Sequence, residues 1–143
     1  MAEFTYNPIQ LVEANQAALL NDSIGFPKGY VFHRNESGIV ILRGIVNNPC
    51  AKFARYQVTA VGNIAVPTGG TVGEISVALA IDGEPLQTSR ARVTPAAVEN
   101  YFNVTSTAYV TVPVGCCFSV TLENVSDQPI NIQNLNVVVT RTA

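Results

Sequence analysis

The chain has 143 residues, a formal net charge of −2 and 13% charged residues, where an average soluble domain has about 25%. This length fits one domain, and the eight lysine and arginine residues are scattered, which excludes a basic stripe for binding nucleic acid. The apolar runs are only strand-length, and no charged segment precedes a long apolar one at the start. We therefore expect neither a membrane span nor a signal peptide.

The scarcity of charge also bears on association. Thr, Asn, Ser and Gln dominate the polar remainder, and these side chains tolerate packing against a partner. We expect an oligomer whose interfaces hide part of a sheet, and a monomer with a neutral surface is the alternative. Val and Ile far outnumber Leu, and Thr adds further β-branched side chains, so the composition predicts an all-β fold.

Residues 1–22 give the least decisive pattern. Asn7-Pro8 followed by Gln10 is typical of a helix start, and residues 12–20 are compatible with its continuation. Two short strands fit the same residues equally well, so helix and strand both stay open for residues 7–20. We consider residues 1–22 as a candidate anchoring segment of one domain that spans residues 1–143.

Alternation predicts the next strands. Residues 30–34, 38–46 and 53–66 form three of them, and a loop follows at residues 67–70. In residues 74–82, large apolar side chains alternate with small ones, which indicates that both faces are covered. Asp82-Gly83 predicts a tight turn because glycine accepts a positive φ without steric cost. Residues 94–99 suggest one helical turn.

Residues 101–114 alternate over an unusual length. One face is mainly apolar, and the other carries Tyr101, Tyr109 and several threonines. A face of tyrosines and threonines favours a half-buried environment such as a subunit contact, although an ordinary exposed sheet face is the alternative. Another strand follows at residues 118–122, and the last one changes phase at Gln133-Asn134, which predicts a β-bulge. About nine strands without βαβ spacing predict a sandwich or jelly roll.

No arrangement of residues points to catalysis or to a metal. His33 is the single histidine and lacks the partners of a triad or of a Cys-His pair. Cys50, Cys116 and Cys117 contain no C-x-x-C pair, and neighbouring cysteines would form only a strained bond. We therefore predict no enzyme, no metal and no cofactor. We expect free thiols, in a protein made in a reducing cytoplasm. A disulfide between Cys50 and either Cys116 or Cys117 is the alternative.

The sequence from residue 63 to the end resembles that of a group of small proteins from phages and prophages of gut Firmicutes. It reads NIAVPTGGTVGEISVALAIDGEPL and then TPAAVENYFNVTSTAYVTVPVGCCFSVTLENVSDQPINIQNLNVVVTR. Their pattern is similar to the jelly roll of complement C1q and tumour necrosis factor: a P-x-G-G loop, an IDG turn and a long strand before a G-C-C step. The resemblance covers this part of the chain well and the part before it loosely, and its motifs are structural rather than catalytic.

The resemblance implies an all-β, C1q/TNF-like jelly roll of nine to ten antiparallel strands that forms a homotrimer. The implied function is a virion accessory protein, a capsid decoration or head-fibre protein made in the host cytoplasm. Its partners would be itself, the major capsid protein or another virion protein and, as a further option, a host surface glycan. A bacterial surface or spore-coat ligand-binding module is the alternative. The expected trimer contacts are Tyr101 and Tyr109 first, then Phe53, Tyr56 and Phe118.

Overall fold

The fold is all-β, as predicted. The computed structural model describes residues 2–22, 31–33, 37–44 and 52–142, and within these ranges it has twelve strands and one turn of 3-10 helix, Gln87–Ser89. The strands are β1 (Ala2–Tyr6), β2 (Gln10–Val12), β3 (Asn21–Asp22), β4 (Val31–His33), β5 (Val40–Arg43), β6 (Phe53–Ala65), β7 (Ile75–Ile81), β8 (Glu84–Pro85), β9 (Ala91–Val93), β10 (Phe102–Pro113), β11 (Cys117–Asn124) and β12 (Ile130–Arg141).

Two antiparallel sheets pack face to face. Sheet I has the order β10-β6-β12-β1-β3, with β2 also paired to β12, and sheet II has the order β4-β5-β11-β7-β8, with β9 also paired to β7. From β5 to β7 and again from β9 to β12, each connection crosses from one sheet to the other. This crossing pattern, with the first strand beside the last, is that of a jelly roll and confirms the predicted architecture. The number of strands exceeds the predicted nine or ten because the structure also contains two very short strands, β3 and β8, of two residues each.

The core lies between the sheets and follows the alternation of the long strands. In β6 the even-numbered positions from Ala54 to Ile64 are buried, and Val104, Val110 and Val112 of the neighbouring strand β10 lie on the same inner face. Alternating side chains of a strand point to opposite faces, so a single buried face accounts for this pattern. Both faces of β7 are covered, as its mixture of large and small side chains predicted.

The N-terminal segment, residues 2–22, contains three short strands and no helix. Gln10 donates its side-chain amide N–H to the carbonyl of Leu19 and accepts the Leu19 backbone N–H, at 3.1 and 2.9 Å. These two hydrogen bonds connect β2 to the following segment. They occupy the Gln10 side chain, which in a helix would cap the N-terminus. Residues 7–20 therefore form no helix: Gln10–Val12 is a strand, and Ala17 and Leu20 form isolated β-bridges.

The predicted helical turn at residues 94–99 was wrong. Residues 94–100 form bends and a turn, and Glu99 has a φ of 59° and donates its backbone N–H to the Val66 carbonyl at 2.8 Å. This contact with the loop after β6 favours a left-handed residue over a helical one. The short helix lies earlier in the chain, at Gln87–Ser89, a position that no sequence pattern singled out.

Two turn predictions were confirmed. Asp82 and Gly83 have φ values of 51° and 86°, which is the signature of a two-residue hairpin turn between β7 and β8. The pairing of β12 with β6 shifts register between Gln133 and Asn136, and Asn134 has a φ of 55°, so the predicted bulge is present.

Some predicted positions lie outside the described residues. Val31–His33 and Val40–Arg43 are strands, whereas residues 30, 34, 45 and 46, which completed those predictions, are not described, and neither is Cys50. Among the described residues, no helix is long and apolar enough to cross a membrane.

Candidate interaction surface

The outward side of sheet I forms a continuous face whose layout follows from the strand register. Outward positions of β10 pair with outward positions of β6, for example Tyr109 with Gln57 and Asn103 with Asn63. The same rows continue into β12, where Gln57 pairs with Thr140. We call this surface the outer face of sheet I, and its members are Asn103, Thr105, Thr107, Tyr109, Thr111, Phe53, Arg55, Gln57, Thr59, Val61, Asn63, Asn131, Gln133, Asn136, Val138 and Thr140.

This face is nearly free of charge. Among the outward positions of β10, β6 and β12, all of them within the described residues, Arg55 is the single charged side chain. Glu3, opposite Val138 in the next strand, lies at the border of the face. The outward side of sheet II carries charged side chains on several strands and on the β7–β8 turn: Arg43, Asp82, Glu84, Arg92 and Glu123. Because depletion of charge is the compositional mark of an interface core, the two sides are suited to different surroundings.

Polar groups of the outer face of sheet I bond to one another across the strands. The Thr59 and Thr107 hydroxyl oxygens lie 3.1 Å apart. Asn103 donates its amide N–H to the side-chain oxygen of Asn63 at 3.2 Å. Burying a polar group costs little when its hydrogen bond is already made within the chain. These cross-strand pairs therefore reduce the penalty of covering the face with a partner.

Tyr109 is the most prominent side chain of the face. It is 55% exposed, and the Arg55 guanidinium carbon lies 4.9 Å from the centre of its ring, a cation–π contact. Phe53, at the same end of β6, is 47% exposed. Tyrosine and arginine are among the residues that most often anchor protein interfaces, because they combine a large contact area with hydrogen-bonding groups. The exposed aromatic end of this face has the composition of such an anchor.

The predicted contact residues divide into two groups. Tyr101, Tyr109 and Phe53 belong to the outer face of sheet I or its border, and the Tyr101 hydroxyl accepts an N–H from Asn131 at 3.4 Å. Phe118 lies opposite Leu42 in sheet II, where it is half-buried against the core. It therefore does not share the face with the other three.

Tyr56 is a correction to the predicted contact set. Its side chain is fully buried between the sheets, and its hydroxyl donates to the Arg43 carbonyl at 2.6 Å. A residue enclosed in the core of its own chain has no surface left for a second copy, so Tyr56 stabilises the sandwich instead. The sequence alone did not separate the two residues because each phase of β6 contains one aromatic side chain, Phe53 in one and Tyr56 in the other.

Two features of the face were not predicted from the sequence. The first is Arg55 beside Tyr109, which lie in different strands and meet only through the register. The second is a set of side-chain amides that neighbouring strands align in adjacent rows: Asn63, Asn103, Asn131 and Gln133. The alternation of β6 could have revealed part of this arrangement, because it places Arg55 and Asn63 on the same side of the strand.

The residues considered for chemistry have structural surroundings. His33 is buried, its Nε2 lies 2.7 Å from the Ser37 carbonyl oxygen, and its ring centre is 4.7 Å from that of Phe4. Its ring thus packs in the core. Cys116 and Cys117 are exposed free thiols. Within the described part of the chain, no three His, Cys, Asp or Glu side chains gather as a metal site would require.

A groove of about 420 Å³ opens at one end of the sandwich. Thr71, Val72, Gly73, Glu74, Asp127 and Gln128 line it. The Gln128 side chain accepts the Thr71 N–H at 2.9 Å and donates to the Thr71 carbonyl at 2.6 Å, which fixes one wall against the other. Its hydroxyl, amide and carboxylate groups are of the kind that bind polar small molecules.

Glu123, on the outward side of sheet II, has a perturbed acidity. Partial burial raises the pKa of its carboxyl above the usual 4.5, a hydrogen bond from Thr121 opposes that rise, and the charge of Glu84 adds to it. The folded protein therefore binds a proton more tightly here than the unfolded chain does. Stability falls as the pH rises through the window between 4.5 and the raised pKa.

The Glu123→Gln variant should melt slightly higher than the native protein at pH 7, because it removes a partly desolvated charge. At pH 4 the gain should disappear, since the native carboxyl is then largely protonated. Thermal melts followed by circular dichroism at the two pH values measure the difference, with the exposed Glu74→Gln as a control that should not change. An equal gain at both pH values would show that charge is not the cause.

No known family model and no curated protein matches the sequence. Among solved structures, the globular domain of zebrafish complement 1qA protein is similar over 96% of this chain and 96% of its own, with 9% identity and a TM-score of 0.49. A family 35 carbohydrate binding module from an environmental isolate matches over 100% and 98% of the two chains, with 12% identity and a TM-score of 0.37. CBM35 from Cellvibrio japonicus Abf62 matches over 95% and 99%, with 20% identity and a TM-score of 0.31. Such values transfer no activity, so the fold assignment rests on the strand order.

Proposed function

We propose that this protein is a non-enzymatic structural protein that works as a homotrimer and uses the outer face of sheet I as its subunit contact. The observation that carries the proposal is the near absence of charge on that face, where Arg55 alone is charged and stacks on the exposed Tyr109. A face that only met water would gain solubility from charges, and the other side of the sandwich has them.

A second copy of the same chain suits this face better than an unrelated partner. Threonine, asparagine and glutamine side chains each offer both a donor and an acceptor, so the same groups can pair from either side. In a closed cyclic assembly every copy hides the same surface, which leaves no copy with an uncovered face. Three copies are the number that the resemblance implies.

The virion setting of the proposal rests on the resemblance of the chain from residue 63 onward to proteins of phages and prophages. A low-charge homotrimer with free thiols suits assembly in the host cytoplasm onto a capsid. We propose that the trimer decorates the head or forms a head fibre, with the charged outward side of sheet II available to a capsid protein. Neighbouring genes for a major capsid protein, a portal or a tail would support this setting, and sporulation or sugar-uptake genes would argue against it.

A ligand-binding module is the second candidate, and the groove beside Gln128 is the observation that favours it. A host or bacterial glycan is the ligand that we would test first. Binding of a glycan to the native protein, lost in a Gln128→Leu variant that still folds, would support this function. It is compatible with a trimer because the lining residues belong to loops outside the outer face of sheet I.

Light scattering coupled to size-exclusion chromatography tests the proposed homotrimer. Under reducing conditions the native protein should give a mass near three times the 15.2 kDa of one chain. The measurement should cover a wide concentration range, because assembly follows mass action. A single monomer peak at the highest concentration would overturn the proposed function.

A further inference from the structure

Two buried oxygen atoms of sheet I lack a hydrogen-bond partner. They are the side-chain carbonyl oxygens of Asn21 and Asn136, and among the described residues no other buried side-chain nitrogen or oxygen is unpaired. A buried acceptor without a donor costs free energy, and native structures contain few of them. Such an atom therefore indicates a bound group that supplies the missing interaction.

The two oxygens belong to one row of sheet I. Thr5 of β1 pairs with Asn136 of β12 on one side and with Asn21 of β3 on the other. Directly paired residues of antiparallel strands lie on the same side of the sheet. Phe4, next to Thr5, is fully buried in the core, so Thr5 and both asparagines face outward. Neighbouring strands lie about 4.8 Å apart, so the asparagines stand about 10 Å apart with Thr5 between them.

No donor satisfies these oxygens, and the row is rich in negative potential. The Thr5 hydroxyl lies between the two asparagines in the row, yet it bonds to neither oxygen. Both oxygens are enclosed, so a donor from a second copy of the chain could not reach them. Glu3 lies two residues before Thr5 on the same face of β1 and adds a negative charge nearby. A position surrounded by oxygen atoms in this way favours a cation.

The donor set and its enclosure select among cations. The three oxygens are neutral amide and hydroxyl groups, whereas protein sites for calcium and magnesium usually include carboxylates. An ion of calcium's radius lies about 2.3–2.6 Å from its oxygen ligands, closer than the roughly 2.8 Å of a hydrogen-bonded water molecule. Sodium has nearly this radius and a single charge, while potassium is larger. We propose that Asn21, Thr5 and Asn136 bind a sodium ion that bridges β3, β1 and β12.

The site would fasten the two ends of the chain to each other. β1 and β3 belong to the N-terminal segment, and β12 is the last strand. All three ligands come from one chain, so the inference goes beyond the proposed homotrimer and does not depend on it. The prediction that the chain binds no metal considered histidine, cysteine and carboxylate patterns, and a site of neutral oxygens contains none of them.

Thermal melts in sodium, potassium and choline chloride at equal ionic strength test the site. Choline is too large to enter it, so the three salts separate binding from screening of surface charge. At a sodium concentration ten times the dissociation constant, Tm should lie about 4 °C above its value in choline chloride, and the rise should saturate. Potassium should give a smaller rise. Equal Tm values in all three salts would overturn the site, and so would stabilisation by calcium but not by sodium.

Two variants and a control connect the sodium response to the row. Asn21→Val and Asn136→Val each remove one of the oxygens and should lose the response. Asn103→Val is the matched control, because Asn103 is an exposed asparagine of the same sheet, and it should keep the response. A response in Asn21→Val and Asn136→Val equal to that of the native protein would overturn the assignment of the ligands.

Two further measurements use the native protein and need no variant. Specific binding should broaden the sodium NMR signal, and an unchanged signal would overturn the site. Light scattering should give the same mass in sodium chloride and in choline chloride. A mass that changes with sodium would overturn a site formed within one chain. A monomer in both salts with an intact sodium response would overturn the homotrimer alone.

Discussion

The Tyr109→Lys variant should scatter light as a monomer at concentrations where the native protein is a trimer. Tyr109 is 55% exposed in the single chain and sits beside Arg55, so a lysine there places a second positive charge on a face that holds one. Each subunit contact would then bury an unpaired ammonium group. Such a juxtaposition costs several kcal/mol, and we expect association to weaken by about 100-fold or more.

Val72→Lys is the matched control for Tyr109→Lys. Val72 is 46% exposed on a loop at the end of the sandwich, away from the outer face of sheet I, and its replacement makes the same change in net charge. The control should remain a trimer. Loss of association in both variants would attribute the effect to net charge, and unchanged association in both would move the subunit contact away from Tyr109. Circular dichroism of each variant confirms that it folds.

Asn124→Ala should give the largest loss of stability among single substitutions of polar residues. Asn124 is fully buried, and its amide N–H groups donate to the Val12 carbonyl at 3.0 Å and to the Gln128 carbonyl at 2.8 Å. Its side-chain oxygen accepts the Ser126 N–H at 2.9 Å. Alanine removes all three bonds and leaves a void, so the free energy of unfolding should fall by about 3 kcal/mol or more.

Urea unfolding of the reduced protein at fixed concentration measures this loss. For a chain of this length, about 3 kcal/mol corresponds to a fall in Tm of roughly 10 °C. Asn100→Ala is the control, because Asn100 is exposed and its replacement should change stability by less than about 0.5 kcal/mol. If Asn124→Ala lowers the free energy of unfolding by no more than the control does, the three hydrogen bonds contribute no net stability.

Much of the fold could be read from local patterns. The alternation at residues 101–114 predicted a long strand with two distinct faces, and the Asp82-Gly83 and Gln133-Asn134 signals predicted a turn and a bulge that are both present. These features depend on neighbouring residues, so a short window of sequence contains their cause. The helical turn expected at residues 94–99 failed because a bond from a distant loop, the Glu99 N–H to the Val66 carbonyl, sets that backbone.

The contact surface was predictable only in part. Tyr101 and Tyr109 were assigned to one face because a single alternating segment carries both. Phe53 and Tyr56 belong to opposite phases of β6, and the letters FARYQ do not say which phase is turned to the core. Packing against sheet II encloses Tyr56 and leaves Phe53 outside.

The low charge content, the all-β class and the alternation of each long strand follow from the amino-acid sequence alone. The location of the uncharged positions depends on the fold. Charge-free positions of β10, β6 and β12 meet in one face because long-range pairing sets the register of strands far apart in the chain. Cross-strand neighbours such as Arg55 and Tyr109 arise in the same way. Local sequence sets which side of a strand a residue occupies, whereas the pairing of strands sets what lies beside it.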